Sequence, residues 1–305
     1  TSYDSTTDPK LINDWCDTNY RYNKLIFTSY HSLIRIMQSK IDVDTIYFDE
    51  AHNACQKQFA AGVVFYGAYS PRCYFFTATP KHSANKYKLG MNEHNIFGEV
   101  ICQVSAPELV RNKYILPAKL AVTKLQQRDR KNDYVADSKV ILSHLDKHNI
   151  KKLLICARTT RQITGLISTT DLCAVLNARG YSWLSITSKN GAFIDGKRVH
   201  RETFFKTLNK WGTNNTKFVV IHHSILSEGI NVSGLESALF LRNMNYIDIS
   251  QTIGRVIRKG KPEKVFGLIC VPVYDKVGIT TAKKVTTVVD TIFHKGEPAI
   301  STVKR

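Results

Sequence analysis

The sequence predicts an α/β fold organised as two lobes, each built on a parallel sheet. Three observations carry that expectation. Between 152 and 271 short apolar, β-rich runs alternate with helix-length segments, the order in which strands run parallel and helices cover both faces. Thr45-Ile46-Tyr47-Phe48 is a similar run that ends in Asp49 and Glu50, and carboxylates at the carboxyl end of a buried parallel strand line a ligand crevice. The chain, 305 residues long, has room for two domains of ordinary size, each with its own core.

In chain order, 1–24 is polar and reads as irregular. A strand is expected at 24–29, a helix at 31–38, the strand 45–48 and a helix at 51–61. Pro71-Arg72 precedes a strand at 73–76 that runs into Thr77-Ala78-Thr79-Pro80, where small hydroxyl residues and a proline make a tight loop. Residues 81–98 read as a surface loop and 100–104 as a strand. Ser105-Ala106-Pro107-Glu108 reads as a helix start, with its cap and first-turn proline. Leu116-Pro117 begins the crossing to the second lobe, 126–133 is a polar loop or insertion, and a helix follows at 135–148. The regular alternation then runs strand 152–156, helix 160–179, strand 183–186, helix 199–211 and strand 217–222. Strand 238–241, helix 247–258, strand 265–271 and a helical tail after Asp275 complete it. The expected domains are 1–116, 117–280 and a C-terminal extension, 281–305.

Composition narrows the class. A hydrophobic content of 43% is that of a globular protein. No apolar run is long enough to span a bilayer and the first residues lack a signal-peptide pattern, so a soluble protein of the cell interior, cytoplasm or nucleus, is expected. The seven cysteines are odd in number and form no Cys-x-x-Cys, which fits buried free thiols better than zinc. Residues 1–120 hold 13 basic and 11 acidic side chains, whereas 121–305 hold 30 and 14, so the net charge of +18 sits almost wholly in the second half. A polyanion, nucleic-acid backbone or nucleotide phosphate, is the natural partner; a soluble basic face is the plainer alternative.

Two constellations carry chemistry. Adjacent acids at a strand end suit nucleotide hydrolysis: Asp49 would hold Mg²⁺, mostly through water, while Glu50 accepts a proton from the attacking water. The alternative is that Asp49-Glu50-Ala51-His52 merely opens a surface helix. The second constellation is Gln251, Gly254, Arg255 and Arg258, spaced to share one helical face with an amide, a glycine and two guanidinium forks suited to phosphate oxygens. Its alternative is a solvated basic helix end. Together they suggest a divided site in which closure of the lobes couples hydrolysis to movement.

With these residues in this order the chain resembles the superfamily-two helicases and translocases of DEAD/DEAH-box type, whose core is two RecA-like lobes. Asp49-Glu50-Ala51-His52 is similar to motif II, Thr77-Ala78-Thr79 to motif III, Glu228-Gly229-Ile230-Asn231 to part of motif V and Gln251 to Arg258 to motif VI. Thr28-Ser29-Tyr30 is similar to motif Ib, and Leu154-Ile155-Cys156-Ala157-Arg158 stands where motif IV begins. The variants look most like type III restriction subunits and phage or viral repair helicases. The resemblance implies ATP and Mg²⁺ as cofactors, with Asp49 organising the metal and Glu50 activating water. It implies that His52, Thr77, Thr79, Glu228, Gly229 and Asn231 link hydrolysis to strand binding, and that Gln251, Arg255 and Arg258 face the nucleotide, Arg258 as arginine finger. Thr28, Ser29, Tyr30 and Arg158 would contact nucleic acid. Asn231 stands where many relatives have Asp.

One departure matters. No Gly-x-x-x-x-Gly-Lys-Ser/Thr occurs, although the family cradles the nucleotide phosphates in that loop. The expectation is therefore a piece of a longer enzyme whose first lobe is incomplete, with the loop ahead of Thr1. The expected function is an ATP-dependent helicase or translocase, acting on DNA rather than RNA and weakly active in these residues alone. The alternatives are a non-catalytic nucleic-acid-binding module and a helicase-like subunit of a nuclease or repair complex.

Overall fold

The computed structural model describes residues 5–18, 23–125, 133–223, 232, 234–260, 263–274 and 278–303. They fall into two compact units, Thr1–Gln103 with Pro298–Arg305, and Val104–Glu297.

The first unit opens on α1 (Pro9–Thr18), in a stretch expected to be irregular. Its start is local: Pro9 needs no amide partner, the Asp8 carboxylate accepts from the Lys10 amide at 2.9 Å, and Ile12 buries against the core. The strand expected at 24–29 is not one. That segment is extended but pairs with no strand among the described residues, leaving Leu25 73% and Phe27 83% exposed. The apolar run 100–104 is likewise unpaired, with Ile101 83% exposed. β-Propensity extends a backbone, but a strand needs a neighbour to bond.

After α2 (Leu33–Gln38), β1 (Thr45–Phe48) pairs in parallel with β2 (Arg72–Phe75), Thr45 opposite Arg72 and Phe48 opposite Phe75. The Phe48 and Phe75 rings stack with centroids 4.8 Å apart. The single helix expected at 51–61 is instead a 3₁₀ turn, Ala51–Cys55, followed by α3 (Lys57–Tyr69), with Gln56 extended between them. The Ala51 amide is already committed to the Phe76 carbonyl at 2.8 Å, which ties the turn to β2. Within the expected loop 81–98 lie β3 (Lys81–Ser83) and α4 (His94–Phe97). β3 pairs in parallel with β12 (Ser301–Val303), some 220 residues away by sequence number, which no local pattern reveals.

The second unit starts with α5 (Ala106–Arg111), capped as expected by the Ser105 hydroxyl accepting from the Glu108 amide. α5 packs on a π-helical turn at Val289–His294, so 104–116 sits with this unit. The sheet has eight strands. β4 (Ala118–Leu125), β5 (Lys152–Cys156), β6 (Tyr181–Thr187), β9 (Lys217–His222), β10 (Ser237–Phe240) and β11 (Gly267–Tyr274) run parallel, in the order β4-β11-β10-β5-β9-β6. β7 (Gly191–Ile194) and β8 (Lys197–Val199) extend it antiparallel beyond β6. The Asp195-Gly196 turn between them has φ of 45° and 83°, the pair of positive angles that the dipeptide favours in a hairpin. That dipeptide was visible in the sequence.

Helices α6 (Asp133–His148), α9 (Arg201–Thr213), α10 (Tyr246–Val256) and α11 (Ile279–Val288) link or flank the strands. The helix expected at 160–179 is two, α7 (Thr160–Ser168) and α8 (Leu172–Ala178). The Thr169 and Thr170 hydroxyls donate back to the Gly165 and Leu166 carbonyls, and the chain bends there. The core lies on β5, β9 and β10, where Leu153, Ile155, Val219, Ile221 and Leu239 are fully buried. No helix among the described residues is long and apolar enough to cross a membrane.

Candidate functional site

In the first unit the residues expected to be functional gather where β1 and β2 end side by side. Asp49 is exposed, and its carboxylate accepts from the Glu50 amide at 2.9 Å. Glu50 itself has left-handed backbone, φ 46° and ψ 49°, an arrangement that costs an L-residue about 1–2 kcal/mol. Such cost is characteristic of sites where the position of a side chain matters more than its ease. Glu50→Gly is therefore expected to raise the stability of this unit by about 1 kcal/mol, read as a higher melting temperature, while removing the candidate base. A melting temperature several degrees lower would show that the conformation is not strained.

His52, 5% exposed, points its Nδ1 at three oxygens: Thr77 Oγ1 at 3.0 Å, Thr79 Oγ1 at 3.2 Å and Glu50 Oε2 at 3.5 Å. Thr79 is 1% exposed and its amide donates to Thr77 Oγ1. Parallel pairing of β1 with β2 is what brings these groups together. His52 thus hydrogen-bonds with the two threonines and lies within ion-pair distance of Glu50.

Tyr30 is turned toward this cluster and packs on the core. Its hydroxyl donates to the Asp49 carbonyl at 2.9 Å, its ring packs on Phe48 and Phe59, and burial followed by the nearby Asp49 and Glu50 charges raises its pKa. Thr28 and Ser29 are exposed, and Ser29 donates to or accepts from Ser32.

In the second unit Gln251, Gly254 and Arg255 lie on α10 as expected, but Arg258 does not. The helix ends at Val256, and Arg258 forms an antiparallel bridge with Ile115, so its side chain is not set by the helical period. The Leu116 amide donates to the Ile257 carbonyl at 2.7 Å, and Lys264 Nζ donates to the carbonyls of Val256 and Arg258, drawing the chain out of the helix. Burial pushes the Lys264 ammonium down to about 8. Glu228, Gly229 and Asn231 lie outside the described residues. Arg158 is exposed at the carboxyl end of β5.

Two residues not singled out in the sequence, His222 and Arg242, join this candidate site. At the carboxyl ends of β5, β9 and β10, Cys156, His222 and Arg242 come together with Thr252, Asp248 and Arg255 of α10; Cys156 Sγ is 3.4 Å from His222 Nε2. Burial, reinforced by the Arg242 and Arg255 charges, pushes the His222 imidazole down to about 3, and burial pushes the Cys156 thiol up to about 12. Both are neutral at pH 7, so the charge belongs to the guanidiniums. Gln251 Oε1 and Nε2, His222 Nδ1 and Arg242 Nε are buried with no hydrogen-bond partner among the described residues. Buried polar atoms are nearly always satisfied, so these four, two on α10 and two at strand ends, call for a polar partner beyond the described residues. A Cβ at Gly254 would meet open space. An amide beside cationic forks fits an anionic, hydrogen-bonding ligand such as a nucleotide. The one cue to Arg242 in the sequence was a basic residue directly after a buried strand.

The fold is mixed α/β, and among the described residues its eight-stranded, mostly parallel sheet is of the RecA-like kind found in helicase structures. It is similar to the ATP-dependent type ISP restriction-modification enzyme LlaBIII bound to DNA, with a TM-score of 0.69 and 18% identity over 99% of this chain and 25% of that one. It is similar to a fragment of a type I restriction HsdR subunit from Vibrio vulnificus YJ016, at 0.59 and 14% over 90% and 51%. It is also similar to Mss116p bound to single-stranded RNA and AMP-PNP, at 0.54 and 14% over 98% and 56%. The chain thus spans a quarter to about half the length of these proteins. No family profile and no curated protein matches the sequence.

Proposed function

We propose that this chain is the motor core of an ATP-dependent nucleic-acid translocase or helicase acting on DNA. The observation that carries this reading is that Gln251, whose side-chain amide has no partner among the described residues, lies one helical turn from the buried Arg255, whose charge with that of Arg242 acts on His222 at the carboxyl edge of a parallel sheet. Gln251, Arg255 and Arg242 would hold ATP, and Asp49 would hold Mg²⁺, which when bound supplies electrostatic neutralisation of the phosphates. Glu50 takes the proton of the attacking water, and the hydrogen bonds of His52 pass its state to Thr77 and Thr79. Arg258 remains the candidate arginine finger, on a segment freed from the helix. Hydrolysis coupled in this way to motion of the two lobes would move a strand. The closer similarity to the restriction enzymes than to Mss116p, 0.69 and 0.59 against 0.54, favours DNA and favours a setting alongside a nuclease.

Binding is expected to run through phosphates and to be largely independent of sequence. Anisotropy titrations of labelled DNA and RNA should show affinity falling by about 10³-fold or more between 50 and 200 mM salt if 6–10 phosphates are contacted. A Mg²⁺-nucleotide should shift the DNA affinity, and Arg255→Ala should remove that shift. With no phosphate-cradling loop among them, these 305 residues alone should hydrolyse ATP poorly. Salt-insensitive or absent binding to both nucleic acids would sink the proposal; equal affinity for RNA would remove its DNA preference.

A further inference from the structure

A cavity of about 250 Å³ lies in the second unit, between α7 and the sheet at the β6–β7 hairpin, apart from the strand-edge cluster around Gln251. Three residues of β6, Trp183, Ser185 and Thr187, line it at a spacing of two, which places them on one sheet face. Across the ladder Ser185 pairs with Phe193 and Thr187 with Gly191, and both partners line the same cavity. Phe193 in turn pairs with Arg198 on β8, and directly paired residues share a face. The guanidinium of Arg198 accordingly lies over Gly191, its Nε and Nη2 3.6 and 3.7 Å from where a glycine Cβ would stand. Asn190 closes one side, its amide nitrogen donating to Thr187 Oγ1 at 2.9 Å and its Nδ2 to Thr164 Oγ1 at 3.3 Å.

The chemistry of this cavity is mixed in a particular way. Two aromatic rings give it flat apolar walls, hydroxyls and a carboxamide stand among them, and an exposed guanidinium sits at the rim. Flat π surface with hydrogen-bonding edges and an adjacent cation matches a nucleobase joined to a phosphate. The volume lies below the usual range for drug-sized ligands, which suits one base rather than two. Lys189, next to Asn190 in sequence, is exposed, and no acidic side chain is among the lining residues, so an anion meets no repulsion inside it.

We propose that this cavity receives a single nucleobase with its phosphate, the base entering against Trp183 and Phe193 and the phosphate held by Arg198. The base comes either from an unstacked position of a bound strand or from a free nucleotide. The strand source rests on the nucleic-acid reading above; the free nucleotide does not.

The full chain is titrated with three probes: a single-stranded oligonucleotide, the same backbone with abasic sites, and a mononucleotide. Binding is read by anisotropy and by tryptophan fluorescence, with Trp183→Phe to identify the quenched indole. For a strand source, Asn190→Ala should weaken the base-containing strand about 5- to 10-fold while the abasic strand is bound as by wild type, Arg198→Ala should weaken the base-containing strand by a similar factor and the abasic strand by less, and Trp183 emission should be quenched only by base-bearing probes. Quenching of Trp183 by the mononucleotide alone assigns the site to a free nucleotide. Strand binding with no Trp183 quenching, and with base-containing and abasic strands equally affected by both variants, would overturn the pocket and leave the nucleic-acid reading standing. Loss of all strand binding with mononucleotide quenching intact would do the reverse. Both variants lie at exposed positions, and circular dichroism matching wild type shows that they fold.

Discussion

Lowering the pH from 7 to 4 is expected to cost the second unit on the order of 5 kcal/mol, through two histidines buried as neutral imidazoles. His222 is pushed down to about 3, first by burial and then by the charges of Arg242 and Arg255; His144 is pushed down to about 4, first by burial and then by His148 and Lys147. Both folded values lie below the ordinary 6.5, so between 6.5 and the folded value the unfolded chain binds more protons than the folded one. Stability from these groups is complete above about 6.5 and falls as the pH drops toward 4 and then 3. His144 also has its proton assigned by its surroundings. Ser237 Oγ donates to the Leu268 carbonyl at 2.9 Å and so accepts from His144 Nε2 at 2.8 Å, leaving no place for an added charge in the core. Urea midpoints at pH 7 and pH 4.5 would measure the loss. His144→Gln should flatten the profile, since glutamine keeps a donor and carries no titrating group. A midpoint that does not move between the two pH values would show that neither imidazole is buried neutral.

The second large effect is expected at Gly234. It has a φ of +73°, and an added Cβ would lie 2.1 Å from the Gly212 carbonyl oxygen, backbone that cannot rotate away. That carbonyl is held in place: together with that of Asn214 it accepts from the buried ammonium of Lys152, at 2.6 and 2.8 Å, at the end of α9. Gly234→Ala therefore combines a left-handed backbone, about 1–2 kcal/mol, with overpacking against fixed atoms, about 1–3 kcal/mol. A loss of about 3 kcal/mol in denaturant unfolding is the expected result. Gly180→Ala serves as the control, because Gly180 also has positive φ but a Cβ there meets nothing, so only the backbone part should be lost. Equal losses in the two variants would mean that the contact with Gly212 relaxes.

Strands were legible where burial was complete. β5 and β9, each an apolar run opened by a lysine, lie in the middle of a parallel sheet, and their bounds at 152–156 and 217–222 match those expected from composition. Strands whose partners are distant were not. β3 finds β12 at the other end of the chain, and β4 exists because β11 lies beside it. The apolar runs 24–29 and 100–104 failed in the opposite sense, with strand composition and no partner. At the candidate site, Asp49, Glu50, Thr77 and Thr79 could be picked from their places at strand ends, and Gln251 and Arg255 from their helical spacing. His222 and Arg242 could not, being ordinary residues until three strand ends are brought together.

By itself, the sequence determined the class: alternating apolar and polar runs oblige parallel strands with covering helices, and acids and guanidiniums at strand and helix ends are a matter of local order. Only the tertiary structure decided which of them meet. Register between β1 and β2 sets His52 on both threonines, the end of α10 at Val256 takes Arg258 off the helical face, and burial leaves the Gln251 amide and Arg242 Nε without partners among the described residues. The reason is that hydrogen bonding and desolvation depend on neighbours in space, and a chain lists its neighbours only along itself.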